Sequence, residues 1–233
     1  MYQLLGVLAN NVGNTIYKAR QRTPDRLVAL KVLSAGCNAD PVAVARLCRE
    51  ARRMAACAHP GVVRAYDFAT FKGRRCLAME FIDGEALAKK LNAPNSPCEA
   101  ARIVICLAEA TAQVHKQGLA HCGIAAEHIL MSSDGVPKLG GFGASRALGV
   151  DPAATIVNDL QGLGTVFYQL LTAPLSSPCK DVVFPTLLDS RAIPEQVKAV
   201  CMRCFSGTGV QPYATAPELV LALREIGVGK VTS

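Results

Sequence analysis

Three groups of residues in this 233-residue chain are spaced as if for chemistry. His121 and His128 lie in the stretch His121-Cys122-Gly123-Ile124-Ala125-Ala126-Glu127-His128-Ile129-Leu130. Imidazoles ligate divalent metals, but two histidines are weak grounds for a site, and no metal is assigned to them. Cys201-Met202-Arg203-Cys204 is the sole Cys-x-x-Cys. It falls on a predicted amphipathic helix with no second pair of ligands nearby in sequence, so its thiols read as small buried hydrophobes. Asp134-Gly135 offers a carboxylate but reads better as a hairpin turn than as an acid.

The elements that must position these residues fall into two halves. From Tyr2 to Leu33, short apolar clusters at Leu4-Leu5, Val7-Leu8, Thr15-Ile16-Tyr17 and 28–33 alternate with Asn, Gly and Pro-Asp turn signals, which predicts an antiparallel meander. Apolar residues at Val44, Leu47, Cys48, Ala51, Met54 and Ala55 predict an amphipathic helix over Pro41–Ala58. Strands around 62–68 and 76–81 complete a sheet-plus-helix unit, and Asp83-Gly84 marks the way out of it. Helices are then predicted over Ala100–Gln117, Asp159–Thr172, Glu195–Phe205 and Pro217–Ile226. The second is apolar nearly all round, as a core helix must be, and the last is opened by a Thr215/Glu218 capping box.

In order and spacing these motifs resemble the eukaryotic-like serine/threonine protein kinases across nearly the whole chain. The resemblance implies an α+β, bilobal protein-kinase-like fold in a single domain over 1–233. A small antiparallel-sheet lobe with one helix covers 1–82 and a mainly helical lobe 83–233, with a shortened activation segment. Val28-Ala29-Leu30-Lys31 is similar to the strand that carries the phosphate-contacting lysine, which makes Lys31 that lysine. Glu50, in Arg49-Glu50-Ala51, stands where the family has the glutamate that pairs with it. Leu77-Ala78-Met79-Glu80-Phe81-Ile82 resembles the hinge, with Met79 as gatekeeper. Ile16, Ala29, Met79, Glu80 and Phe81 join Lys31 and Glu50 as candidate nucleotide contacts. A Lys31–Glu50 ion pair would also stabilise the small lobe with no nucleotide present, and both roles stand at this point. His121 opens the segment similar to the catalytic loop, and Leu139-Gly140-Gly141-Phe142-Gly143 matches the Asp-Phe-Gly region.

Four positions depart from the family pattern. Gly123 stands at the proton-accepting carboxylate, Ala125 at the following lysine, His128 at the metal-binding Asn and Gly141 at the metal-binding Asp. Ala9, Asn11 and Asn14 occupy the three glycines of the phosphate-covering loop, with Gly13 off register. The sixteen positions from Gly143 to Asp159 contain no Ala-Pro-Glu, and Pro212 replaces the arginine that would pair with its glutamate. Ala173–Ile193 is short and proline-rich, leaving little room for a helix placed there in the family. Met54, His121 and Phe142 match the apolar stack that joins the lobes, with Asp159 beneath, and this packing needs no catalytic group.

The sequence-based expectation is therefore a pseudokinase: no enzyme, but a regulatory or scaffolding module. It requires no cofactor and binds a protein partner, for which an active kinase is a candidate. Two alternatives stand beside it, a sensor that binds ATP or ADP without Mg²⁺ and a serine/threonine kinase with residual ATP-dependent phosphotransfer. Composition bounds the rest. At 51% hydrophobic and 18% charged the chain can bury a core, which excludes disorder as its dominant state. Twenty-five basic against 18 acidic residues give a net +7, but the charges are dispersed without interleaved aromatics, so no nucleic acid is expected. No apolar run reaches the roughly 18–20 residues that cross a bilayer, and the N-terminus has no leader pattern. Ten scattered cysteines suit a reducing compartment, and the expected location is cytoplasmic, away from membranes.

Overall fold

The computed structural model describes residues 2–142, 152–172 and 193–228. The predicted meander is present as β1 (Tyr2–Asn11), β2 (Asn14–Arg22) and β3 (Asp25–Leu33). With β4 (Ala65–Phe71) and β5 (Arg74–Glu80) they form an antiparallel sheet in the order β1-β2-β3-β5-β4, so β3 is its central strand. Strand alternation divides β3 between two faces. Val28, Leu30 and Val32 pack with Ala19, Cys76 and Ala78 on one side, while Lys31 and Leu33 face the other.

That other face is covered by α2 (Pro41–Ala56), which follows a short α1 (Ala35–Ala39) that the sequence reading did not anticipate. Asp40 caps α2 by accepting from the Val42 and Ala43 N–H groups, and Pro41 sits in the first turn, where its missing N–H costs nothing. Leu47, Glu50, Ala51 and Met54 are the buried stripe; Val44 and Cys48 are half-buried, and Ala55 is exposed because it falls outside that arc. A carboxylate therefore lies among apolar positions of this stripe.

The second half is helical around a three-stranded antiparallel sheet, β6 (Gly84–Ala86), β7 (Ile129–Ser132) and β8 (Pro137–Leu139). Gly135, at φ 78°, makes the turn between β7 and β8, as expected for Asp134-Gly135. The helix α3 (Pro97–Lys116) starts from a Ser96 cap and buries Ile103, Val104, Leu107, Thr111 and Val114 as its periodicity predicted. The core helix α4 runs from Pro152 to Thr172, seven residues earlier than expected, so Asp159 lies inside it and not at its head. Helices α5 (Glu195–Met202) and α6 (Ala216–Val228) complete the described residues. Thr215 and Glu218 form the predicted cap: the Glu218 N–H donates to Thr215 Oγ1 at 3.4 Å, and Glu218 Oε2 accepts from the Ala214 N–H. Cys201 and Cys204 are buried, Cys201 Sγ lying 3.8 Å from the Gly164 carbonyl on α4.

Two backbone hydrogen bonds join the halves, Val63 N–H to the Leu139 carbonyl and Leu139 N–H to the Gly61 carbonyl, at 2.9 and 2.8 Å. Most of the sixteen-position segment after Gly143, and all of Ala173–Ile193 but its last residue, lie outside the described residues, so the expectations placed there are not described structurally.

Candidate functional site

Lys31 and Glu50 meet across the sheet–helix seam. The lysine Nζ lies 2.7 Å from Glu50 Oε2 and 3.0 Å from Oε1, with the side chains 18% and 6% exposed. Two elements make this pair: the alternation of β3 turns Lys31 toward α2, and the helical period brings Glu50 onto the stripe that covers that face. Removing either partner would strand a charge in a poorly solvated place, which makes the pair stiff.

Around Lys31 the sheet register sets the remaining candidates. Ile16 is opposite Lys31 on β2, and Ala29 is opposite Met79 on β5. Met79 is buried, and Ile16, Ala29, Glu80 and Phe81 are half-buried. The Glu80 side chain is engaged elsewhere: Oε1 accepts from Lys138 Nζ at 2.7 Å and Oε2 from the Arg64 N–H at 3.2 Å. Lys18 Nζ stands 4.5 Å from the centre of the Phe81 ring. Lys18 and Lys138 were not among the residues singled out from sequence; a 58-residue separation between Glu80 and Lys138 leaves no local signal.

At the tip of the β1–β2 hairpin, Asn11 pairs with Asn14 and Gly13 takes φ 97°. A Cβ on Gly13 would lie 2.8 Å from Cys37 Sγ. The glycine that was off register for a phosphate cradle is therefore the one the turn requires.

On the opposite side, Met54, His121, Phe142 and Asp159 are all buried. The His121 and Phe142 rings pack at 4.3 Å between centroids. Asp159 is the anchor, accepting from the His121 N–H and the Cys122 N–H at 2.8 Å each and lying 3.0 Å from His115 Nε2. These bonds hold Cys122 at φ 59°, unusual for a residue with a Cβ. His121 Nε2 donates to the Gly140 carbonyl at 2.9 Å, which fixes the ring as the Nε2–H tautomer and leaves the buried Nδ1 without a partner. Burial depresses the His121 pKa to about 4, against the opposing pull of Asp159 and the Gly140 carbonyl.

The four departing positions do not stand apart. His128 Nδ1 is 2.7 Å from the Gly123 carbonyl, and since a carbonyl can only accept, Nδ1 carries the proton. Gly141 has φ 71°, and a Cβ there would lie 2.8 Å from both Cγ and Cδ2 of the His128 ring. Gly123, His128 and Gly141 thus form one packed unit, in which the imidazole fills the direction that a side chain at 141 would take. Ala125 is half-buried and precedes a single turn of 3-10 helix over Ala126–His128. Among the described residues, no three His, Cys, Asp or Glu side chains are grouped to hold a metal ion, and no helix is long and apolar enough to cross a membrane.

A protein kinase domain family model matches residues 7–170. The probable serine/threonine-protein kinase PknB of Lactococcus lactis is 31% identical over 65% of this chain and 28% of its own length. The serine/threonine-protein kinase pkn2 of Myxococcus xanthus is 32% identical over 72% of this chain and 21% of its own length. The chain spans under a third of either relative. In three dimensions, the crystal structure of the Mycobacterium tuberculosis PknI kinase domain superposes with a TM-score of 0.74 at 22% identity, covering 96% of this chain and 95% of that one, which shows the kinase-like fold. The expectation that the chain is no enzyme is overturned by these matches, because both relatives are named as kinases and the matching family is one of enzymes. That expectation inferred inactivity from side chains missing at four positions; the family resemblance extends over the rest of the domain.

Proposed function

Since the chain belongs to the protein kinase family, we propose that it is a serine/threonine-type kinase domain that binds ATP or ADP beside Lys31 and carries out ATP-dependent phosphotransfer slowly. The observation that supports this most is the assembled Lys31–Glu50 pair, which presents a fixed cation to a nucleotide phosphate from the central strand of the sheet. Ile16, Ala29, Met79 and the backbone of Glu80 and Phe81 supply the apolar and hydrogen-bonding wall for a base.

Turnover is expected to be low for a stated reason. A positioned general base contributes about 10²–10⁴-fold, and Gly123 offers none. The residues at the family's two metal-ligand positions do not fit Mg²⁺: Gly141 has no side chain, and His128 spends Nδ1 on the Gly123 carbonyl. Bound nucleotide would therefore rely on Lys31 and the chain's own donors for charge neutralisation. With slow turnover, an occupied cleft can itself be read by a protein partner, an active kinase being one candidate, in the cytoplasm.

The test is thermal unfolding with ATP or ADP, with and without Mg²⁺, followed by radiolabel transfer to generic substrates. Nucleotide at 100 times its Kd should add about 2.7 kcal/mol to the stability, regardless of Mg²⁺. Transfer should be slow but abolished by Lys31→Ala, a response that a contaminating kinase would not show. No thermal shift and no Lys31-dependent label would refute the proposal.

A further inference from the structure

The unit formed by Gly123, His128 and Gly141 leaves one group unexplained. His128 Nδ1 must hold its proton for the Gly123 carbonyl, so the other ring nitrogen, Nε2, is free to accept a hydrogen bond or to take up a second proton. Nε2 has no partner among the described residues, and the side chain is half-buried, so the ring is neither sealed in the core nor fully in water. Its carbon edge lies along the exit direction of a side chain at 141, 2.8 Å from where that Cβ would be. In an active kinase, positions 128 and 141 hold the Asn and Asp that bring cations to the phosphates. Here one imidazole covers both places.

We propose that His128, protonated on Nε2 when nucleotide binds, contacts the polyphosphate directly and takes over the charge neutralisation that the family assigns to a metal ion. This rests on the reading that nucleotide binds beside Lys31. The Gly123 carbonyl accepts from Nδ1 whether or not Nε2 carries a proton, so only an anion placed at Nε2 would draw the second proton onto the ring. His121 is close enough to interact electrostatically and stays neutral down to about pH 4, since burial holds its pKa there. Asp159 and Arg53 act on His121 from α4 and α2, and Gly140 and Gly141 present only backbone.

The experiment is calorimetric titration of the whole chain with ATP and, separately, adenosine, in EDTA from pH 8.5 to 6, for the native protein, His128→Gln and Lys31→Ala. Gln keeps a donor for the Gly123 carbonyl, and a thermal melt of each variant confirms folding. Uptake of one proton on binding predicts that ATP affinity rises up to about tenfold per pH unit over part of this range. His128→Gln should remove that rise, while adenosine binding should be equal in native and His128→Gln proteins and flat with pH. The phosphate's own protonation affects both proteins alike, so the difference between them is the readout. Nitrogen-15 spectra of the native protein should show the His128 ring passing from the Nδ1–H tautomer to the doubly protonated form as ATP is added at pH 7.5.

ATP binding that depends on Lys31 but is the same in His128→Gln at every pH would overturn the His128 inference and leave nucleotide binding standing. Absence of ATP binding in the native protein at every pH would overturn both. Unchanged ring spectra on saturation with ATP would overturn the protonation.

Discussion

The two sides of the candidate site are built on different terms. On the sheet side a charged pair, Lys31 with Glu50, is held at 2.7 Å, while the β1–β2 hairpin carries asparagines where the family has glycines. On the catalytic-loop side the reverse holds. The packing frame of His121, Phe142 and Asp159 is buried and hydrogen-bonded, while positions 123, 125 and 141 carry no functional side chain. Groups that hold the loop in place and groups that react from it are thus separable: Asp159 satisfies two backbone donors whatever happens at Gly123.

The sharpest way to break this contrast is to remove the anchor. Asp159→Ala would leave the His121 and Cys122 N–H groups unpaired in the core, and losing a buried charged partner costs about 3–5 kcal/mol. Asp159→Asn should cost less because it retains an acceptor. Urea unfolding of the two variants measures this; equal, small losses would mean that the loop is held by packing alone.

The next effect comes from pH. His121 is neutral when folded, with its pKa depressed from 6.5 to about 4, so below pH 6.5 the unfolded chain binds a proton that the folded one does not. Stability from this group is present above 6.5 and falls as pH drops toward 4, by on the order of 3 kcal/mol across the window. His121→Phe should flatten that part of the profile relative to the native protein, as read from urea midpoints. A parallel dependence in both proteins would show that His121 is not the group responsible.

The smallest effect sharpens the contrast within the catalytic loop itself. Gly141→Asp alone should destabilise by about 1–2 kcal/mol, from a Cβ at positive φ and contact with the His128 ring. Adding His128→Asn should recover part of that loss. A double-mutant cycle by thermal melts with a coupling below about 0.5 kcal/mol would show that the two positions are independent, contrary to the 2.8 Å at which a Cβ on residue 141 would meet the His128 ring.

Much of this was legible in the chain because local rules and spacing agreed. The alternation of 28–33 placed Lys31 on one face of β3, and the period of 44–54 placed Glu50 on the stripe that meets it. The five-residue α1 was not legible, since one turn with no buried residue leaves no apolar period. The helix α4 starts at Pro152, seven residues before the expected Asp159, and proline is itself a start signal for a helix. The contact between His128 and Gly141 had no sequence signature at all. It depends on φ 71° at Gly141 and on the Gly123 carbonyl turning the imidazole, neither of which residue types alone specify.

The bond between Glu80 and Lys138 carries a mechanical consequence. Glu80 closes the sheet strand β5, whereas Lys138 belongs to β8, which leads straight to Phe142. Any rocking of one half of the molecule on the other must therefore stretch an ion pair whose members are 26% and 17% exposed. Its members lie 2.7 Å apart, well inside the Debye length of about 10 Å at 0.1 M salt, and a partly buried pair is screened little. The joint behaves as an ionic latch that keeps its hold across ordinary buffers.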